Sequence, residues 1–108
     1  MIDIIVKAAE SKKALDIKVM DISKSSSLVD SMVICGAESP PQLRAIEKEI
    51  DSALRKIGVN KLKWEGVISS GWVVLDLGSI VVHVLGEPER DYYRLEDLWG
   101  KEAIVYHY

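Results

Sequence analysis

Apolar residues recur at steps of three and four in some stretches of this chain and at every second position in others. Ile2, Ile5, Val6 and Ala9 share one helical face, with Asp3, Lys7 and Glu10 elsewhere, which predicts a helix running to about Ser11. Lys13 to Asp16 makes the connection. Leu15, Ile17 and Val19 then alternate with Asp16, Lys18 and Met20, a strand ending near Ile22. Ser23 to Ser27 is a polar loop. Ser31 to Cys35 is a short, mostly apolar strand that Gly36 is expected to end.

The clearest local signal is Ser39-Pro40-Pro41-Gln42. Ser39 can cap a helix, Pro40 suits the first helical position, and Gln42 completes a capping box. Leu43, Ile46, Ile50, Ala53, Leu54 and Ile57 follow at helical spacing, and Gly58 supplies the left-handed residue that closes such a helix. On the other side, Glu47, Glu49 and Asp51 have a spacing that points neighbouring carboxylates apart, so they predict a solvated face. Leu62 to Glu65 is a strand entering Gly66, and Val67 to Gly71 a loop. Trp72–Leu77 and Ile80–Leu85 are strong strands, and only Gly78-Ser79 separates them, a two-residue hairpin. Pro88 opens a last helix that Gly100 closes. Ala103–Tyr108 is β-prone and reads as either an extra edge strand or a loose tail. The expected organisation is one domain over 1–102 and a short tail over 103–108. Its order is α-β-β-α-β-β-β-α, an α/β fold with a mixed β-sheet and flanking helices.

The hairpin fixes its own register. Leu77, Leu75 and Val73 oppose Ile80, Val82 and Val84, an all-aliphatic face that belongs in a core. The other face sets Asp76 opposite Val81, Val74 opposite His83 and Trp72 opposite Leu85, which makes Trp72 and His83 diagonal neighbours. Trp72 on this face has two readings. It is core beneath a covering helix, or it is an exposed anchor of the kind that dominates protein interfaces.

Composition narrows the function. A chain of 108 residues makes one domain, and 48% hydrophobic with 29% charged residues excludes a disordered tail. The apolar runs are too short to cross a bilayer. The N-terminal stretch lacks the bases and small-residue cleavage site of a signal peptide. The lone Cys35, expected buried and inert, fits a reducing cytoplasm, which is the expected location. A net charge of −3 lacks the basic excess of proteins that live by gripping phosphates, so a protein or a small ligand is the expected partner, with no direct sequence-specific nucleic acid and no membrane. There is no Asp-x-Asp pair, no glycine-rich phosphate loop, no nucleophile elbow and no metal-ligand spacing, so neither catalysis nor a cofactor or metal is expected. His83 and Asp76 could pair as a base and its orienter, yet no nucleophile is placed beside them.

Several blocks taken together carry a family resemblance. They are Asp30 to Cys35, Ser39 with Gln42 and Ala45-Ile46, Glu65-Gly66, Trp72 to Gly78, Val81 to Val84, and Arg90 with Tyr93, Leu95-Glu96 and Leu98-Trp99. In this order the chain resembles the ribosomal silencing factor family, the Iojap-related proteins of bacteria, mitochondria and chloroplasts. It departs at Ser31-Met32, where many members have an aromatic pair, at Gly36-Ala37, where a small hydroxyl residue and glycine are usual, and at Gly78-Ser79, where Gly-Asp is usual. The resemblance implies a nucleotidyltransferase-like architecture without catalysis. It implies binding to the large ribosomal subunit through its fourteenth protein, a steric block to small-subunit joining, and lowered translation under nutrient limitation. Trp72 matches a tryptophan implicated in that contact. The expected partner-binding residues are therefore Trp72, Val74, Asp76 and His83, with Glu65 and Tyr93 beside them. A homodimer of the free protein stays open. The competing reading is a small nucleotide-binding or nucleotidyl-transferring enzyme on the same architecture, supported by fold analogy alone.

Overall fold

The first two helices that the periodicity predicts bury most of the faces expected of them, although Ile57, expected on the second, is exposed at the helix end. The computed structural model describes residues 1–89 and the backbone of 104–107. Helix α1 (Ile2–Ser11) buries Ile5, Val6, Ala8 and Ala9, and α2 (Pro40–Lys56) buries Leu43, Ile46, Ile50 and Leu54. At the start of α2 the Ser39 side chain accepts the Gln42 N–H at 3.3 Å. The Gln42 side chain reaches past the Ser39 N–H that the expected box would use. Its Oε1 accepts the Glu38 N–H, and its Nε2 donates to the carbonyls of Lys12 and Lys13 at 3.1 and 2.9 Å, tying α2 to the turn after α1. At the other end Gly58 has φ +91°, the Val59 N–H reaches the Leu54 carbonyl and the Gly58 N–H that of Arg55. This is the paired closure of a Schellman turn.

The strands are β1 (Leu15–Asp21), β2 (Ser31–Ala37), β3 (Lys63–Glu65), β4 (Trp72–Asp76), β5 (Ile80–Gly86) and β6 (Ile104–His107). They form one mixed sheet of order β3-β4-β5-β2-β1-β6, in which only β2 and β5 run parallel. The hairpin register holds pair by pair, from Trp72 against Leu85 to Asp76 against Val81. Of the two readings for the chain's end, the backbone of 104–107 is an edge strand beside β1.

Three expectations need correcting. Gly36 does not end β2, because it stays in register between Leu15 and Leu85, and the strand runs on to Ala37. The alternation of β1 is interrupted: Asp16 has φ +48° and the pairing with β2 slips by one residue between Leu15 and Lys18, a bulge. Asp51 is not simply solvated. Its Oδ1 accepts the Trp64 indole N–H at 3.0 Å and its Oδ2 the Arg55 Nε–H at 2.7 Å, which pins β3 to α2. The three-residue 3₁₀ turn Ile68–Ser70 occupies the expected loop. The predicted last helix has helical backbone at 87–89 and otherwise lies outside the described residues.

Alternation divides the core in two. Ile17, Val19, Val33, Cys35, Val73, Leu75, Val82 and Val84 pack under α1 and α2. Cys35 is fully buried there, as expected of a lone thiol. The opposite face holds Met20, Ile22, Met32, Ile34 and Leu85, with Val29 and Trp72 packed against them and no residue of α1 or α2 among them. The described helices therefore lie on one side, and the candidate residues project from the other.

Candidate functional site

Cross-strand partners share a face, so the ladder aligns Glu65 on β3, Val74 on β4 and His83 on β5 in one row. Trp72 and Asp76 flank Val74 at two-residue spacing on the same face. Five of the six expected residues are thus brought together; Tyr93 lies outside the described residues. A shallow cleft of about 330 Å³ opens at this edge, lined by Glu65, Gly66, Ser70, Trp72 and Val74.

Trp72 is neither wholly core nor wholly exposed. Its side chain packs on the second cluster, yet it is only half-buried and lines the cleft. Its indole N–H donates to His83 Nδ1 at 3.1 Å, with the ring centroids 5.9 Å apart and tilted by 48°. An indole nitrogen can only donate, so Nδ1 must be unprotonated and the neutral imidazole carries its proton on Nε2. Burial pushes the His83 pKa down to about 4. The bond acts in the same direction, because protonating Nδ1 would break it. The partner of His83 is thus Trp72 rather than Asp76. The Asp76 carboxylate instead accepts the Gly78 N–H at 2.8 Å and shapes the hairpin turn. Glu65 and Asp76 are exposed, and Val74 is half-buried between them.

Two lining residues were not foreseen. Ser70 donates its hydroxyl to the carbonyls of Val67 (2.6 Å) and Trp72 (3.2 Å), which fixes the approach to β4. Gly66 has φ +84°, and a Cβ there would collide with the Trp72 carbonyl oxygen. The sequence signal was the Glu65-Gly66 pair, a strand running into a residue that tolerates close backbone approach.

A second cavity, of about 250 Å³, lies at the carboxyl ends of the parallel strands β2 and β5 beside the start of α2. Open α/β sheets often hold ligands at such a place. This helix end offers little to a phosphate. Pro40 and Pro41 have no N–H, Gln42 donates to the Ser39 hydroxyl, and Leu43 donates to the Ser39 carbonyl. The carboxylate of Glu89 also lies close against Gly71 and Gly86 there. Among the described residues no helix is long and apolar enough to cross a membrane, and no group of three or more His, Cys, Asp or Glu could hold a metal ion.

The mixed sheet, with both described helices on one face and an aromatic-centred cleft on the other, defines a small α/β domain. Residues 1–106 match the family model described as ribosomal silencing factor during starvation. The chain is similar to the ribosomal silencing factor RsfS of Bacillus subtilis strain 168, with 39% identity over 105 residues that span 97% of this chain and 89% of that one. It is also similar to the chloroplastic Iojap protein of Arabidopsis thaliana, 35% identical over 102 residues, which are 94% of this chain and 42% of that one. A crystal structure of a Chromobacterium violaceum protein superposes with a TM-score of 0.85 at 34% identity, covering 96% and 88% of the two chains. The chain belongs to the ribosomal silencing factor family, as the sequence blocks implied.

Proposed function

We propose that this protein silences ribosomes when nutrients are scarce by docking on the large subunit, through its fourteenth protein, and excluding the small subunit by bulk. Family membership supports the ribosomal role. The observation that carries the docking surface is Trp72: a large aromatic, half-buried at a cleft, with its polar N–H already bonded to His83. Such a side chain presents apolar area with its orientation fixed, at little entropic cost to binding. Glu65 and Asp76 set acidic charge beside it, suited to a basic ribosomal protein and unsuited to bare phosphate. The mechanism requires affinity and steric overlap, and no chemical step. The place of action is the cytoplasm, where the subunits are.

The test is subunit joining. Purified large and small subunits are mixed with the protein and separated on a gradient. Wild type should hold the subunits apart and co-migrate with the large one. Folded Trp72→Ala should do neither, and excess small subunit should overcome the wild type. A folded wild type that ignores the large subunit refutes the proposal.

A further inference from the structure

The stretch 52–64 contains Arg55, Lys56, Lys61 and Lys63 and no acid, in a chain of net charge −3. All four side chains are exposed. Arg55 is engaged: its guanidinium pairs with Asp51 at 2.7 Å and donates to the Asn60 carbonyl at 3.3 Å. Lys56, Lys61 and Lys63 make no ion pair among the described residues. Bases in the last turn of α2 answer the helix dipole, which accounts for Arg55 and Lys56. Lys61 and Lys63 lie beyond the helix, and the dipole does not account for them.

The fold keeps these charges at one corner. The Schellman turn at Gly58 reverses the chain, and the Arg55–Asn60 bond holds the connection against the helix end. The connection then enters β3, the outermost strand on this side of the sheet. On β3, Lys63 faces Asp76 and Glu65 faces Val74. The basic corner therefore adjoins the cleft of Trp72 along one strand. Lys63 thus lies on the cleft face, and Lys56 on the helix side of the same sheet edge.

We infer that Lys56 and Lys61 form a second contact that grips the phosphate backbone of ribosomal RNA flanking the docked protein. The inference rests on the docking reading above. Flexible, strongly hydrated ammonium groups spaced along an exposed connection suit an array of phosphates, which each can neutralise without fixed geometry. The molecule thus presents acid and an aromatic to protein at the cleft, and base to RNA at the corner. The net acidity of the chain conceals this division.

The test measures affinity for purified large subunits between about 50 and 200 mM salt, the range over which phosphate contacts weaken steeply. Neutralising Lys56 and Lys61 together (Lys56→Gln with Lys61→Gln) should lower the slope of log affinity against log salt by about two, and Lys61→Gln alone by about one. Binding of the double variant to the isolated fourteenth ribosomal protein should match wild type. An unchanged slope overturns the inference. An equal loss on the isolated protein also overturns it and makes an acidic protein surface the partner. Trp72→Ala separates the two readings: it should weaken subunit binding and keep the slope. If Trp72→Ala binds as wild type, the docking reading fails, while the slope still decides the RNA contact.

Discussion

The indole N–H of Trp72 on β4 ends on Nδ1 of His83 on β5, 3.1 Å away across the ladder. One polar atom of each ring is satisfied by the other. The face of the tryptophan is thereby fixed in the cleft, and the imidazole is held neutral.

This bond makes His83 a positioning residue for Trp72. His83→Gln keeps an acceptor near the indole, and His83→Leu removes it while keeping bulk. Binding to large subunits should be largely retained by the glutamine variant and lost several-fold by the leucine variant. Equal binding by the two would show that the bond does not matter.

A pH dependence follows from the same pair. The folded His83 pKa is about 4 against an ordinary 6.5, so between those values the unfolded chain binds a proton that the folded chain refuses. Stability should be unaffected by this group above pH 6.5, fall as pH drops toward 4, and level off below. The slope is at most about 1.4 kcal/mol per pH unit for one proton. Urea titrations of wild type and His83→Gln over this range should differ by that segment. Trp72→Phe, which removes the donor, should raise the His83 pKa in NMR titration.

Asp51 should matter to stability although it lies on a surface helix. Asp51→Ala removes the acceptor for Trp64 and the partner of Arg55, and should cost about 1–3 kcal/mol. Trp64 fluorescence should shift to the red as β3 loosens. Asp51→Asn keeps an oxygen for the indole and should cost less.

Two glycines with positive φ separate strain from crowding. Gly78→Ala meets open space and should cost about 1–2 kcal/mol for the left-handed backbone alone. Gly66→Ala adds a collision with the Trp72 carbonyl, so it should cost more and also weaken subunit binding. Thermal melts and the gradient assay read the two effects separately.

Gln42 should outweigh the cap residue beside it. Ser39→Ala loses one N-cap bond, worth about 1 kcal/mol. Gln42→Ala loses an acceptor for Glu38 and two donated bonds that tie α2 to the turn after α1. Denaturant midpoints should rank Gln42→Ala below Ser39→Ala.

Much of this was legible because it is local. The steps from Leu43 to Leu54, the Ser39 and Gly58 caps and the two-residue turn fix α2 and the β4–β5 register without reference to the rest of the chain. The length of that turn alone is enough to set Trp72 diagonal to His83. What escaped depends on distant partners. The tie from Gln42 to Lys12 and Lys13 joins positions about thirty residues apart. The Trp64–Asp51 bond joins a strand to a helix face whose spacing suggested only solvent. The survival of Gly36 within β2 required β5 on its far side, a parallel neighbour that no local pattern announces.

That parallel seam also sets an order of events in the chain's own synthesis. Ser31–Ala37 pairs at once with β1, but its other neighbour, Ile80–Gly86, is made about fifty residues later. Until then this apolar strand has one raw edge, the kind that recruits foreign strands. Helix α2, which its two caps let form from local sequence, packs on one face of β2 but leaves that edge open until β5 arrives. The caps at Ser39 and Gly58 therefore help hide one apolar face of β2 early, while its pairing edge waits for the hairpin strand.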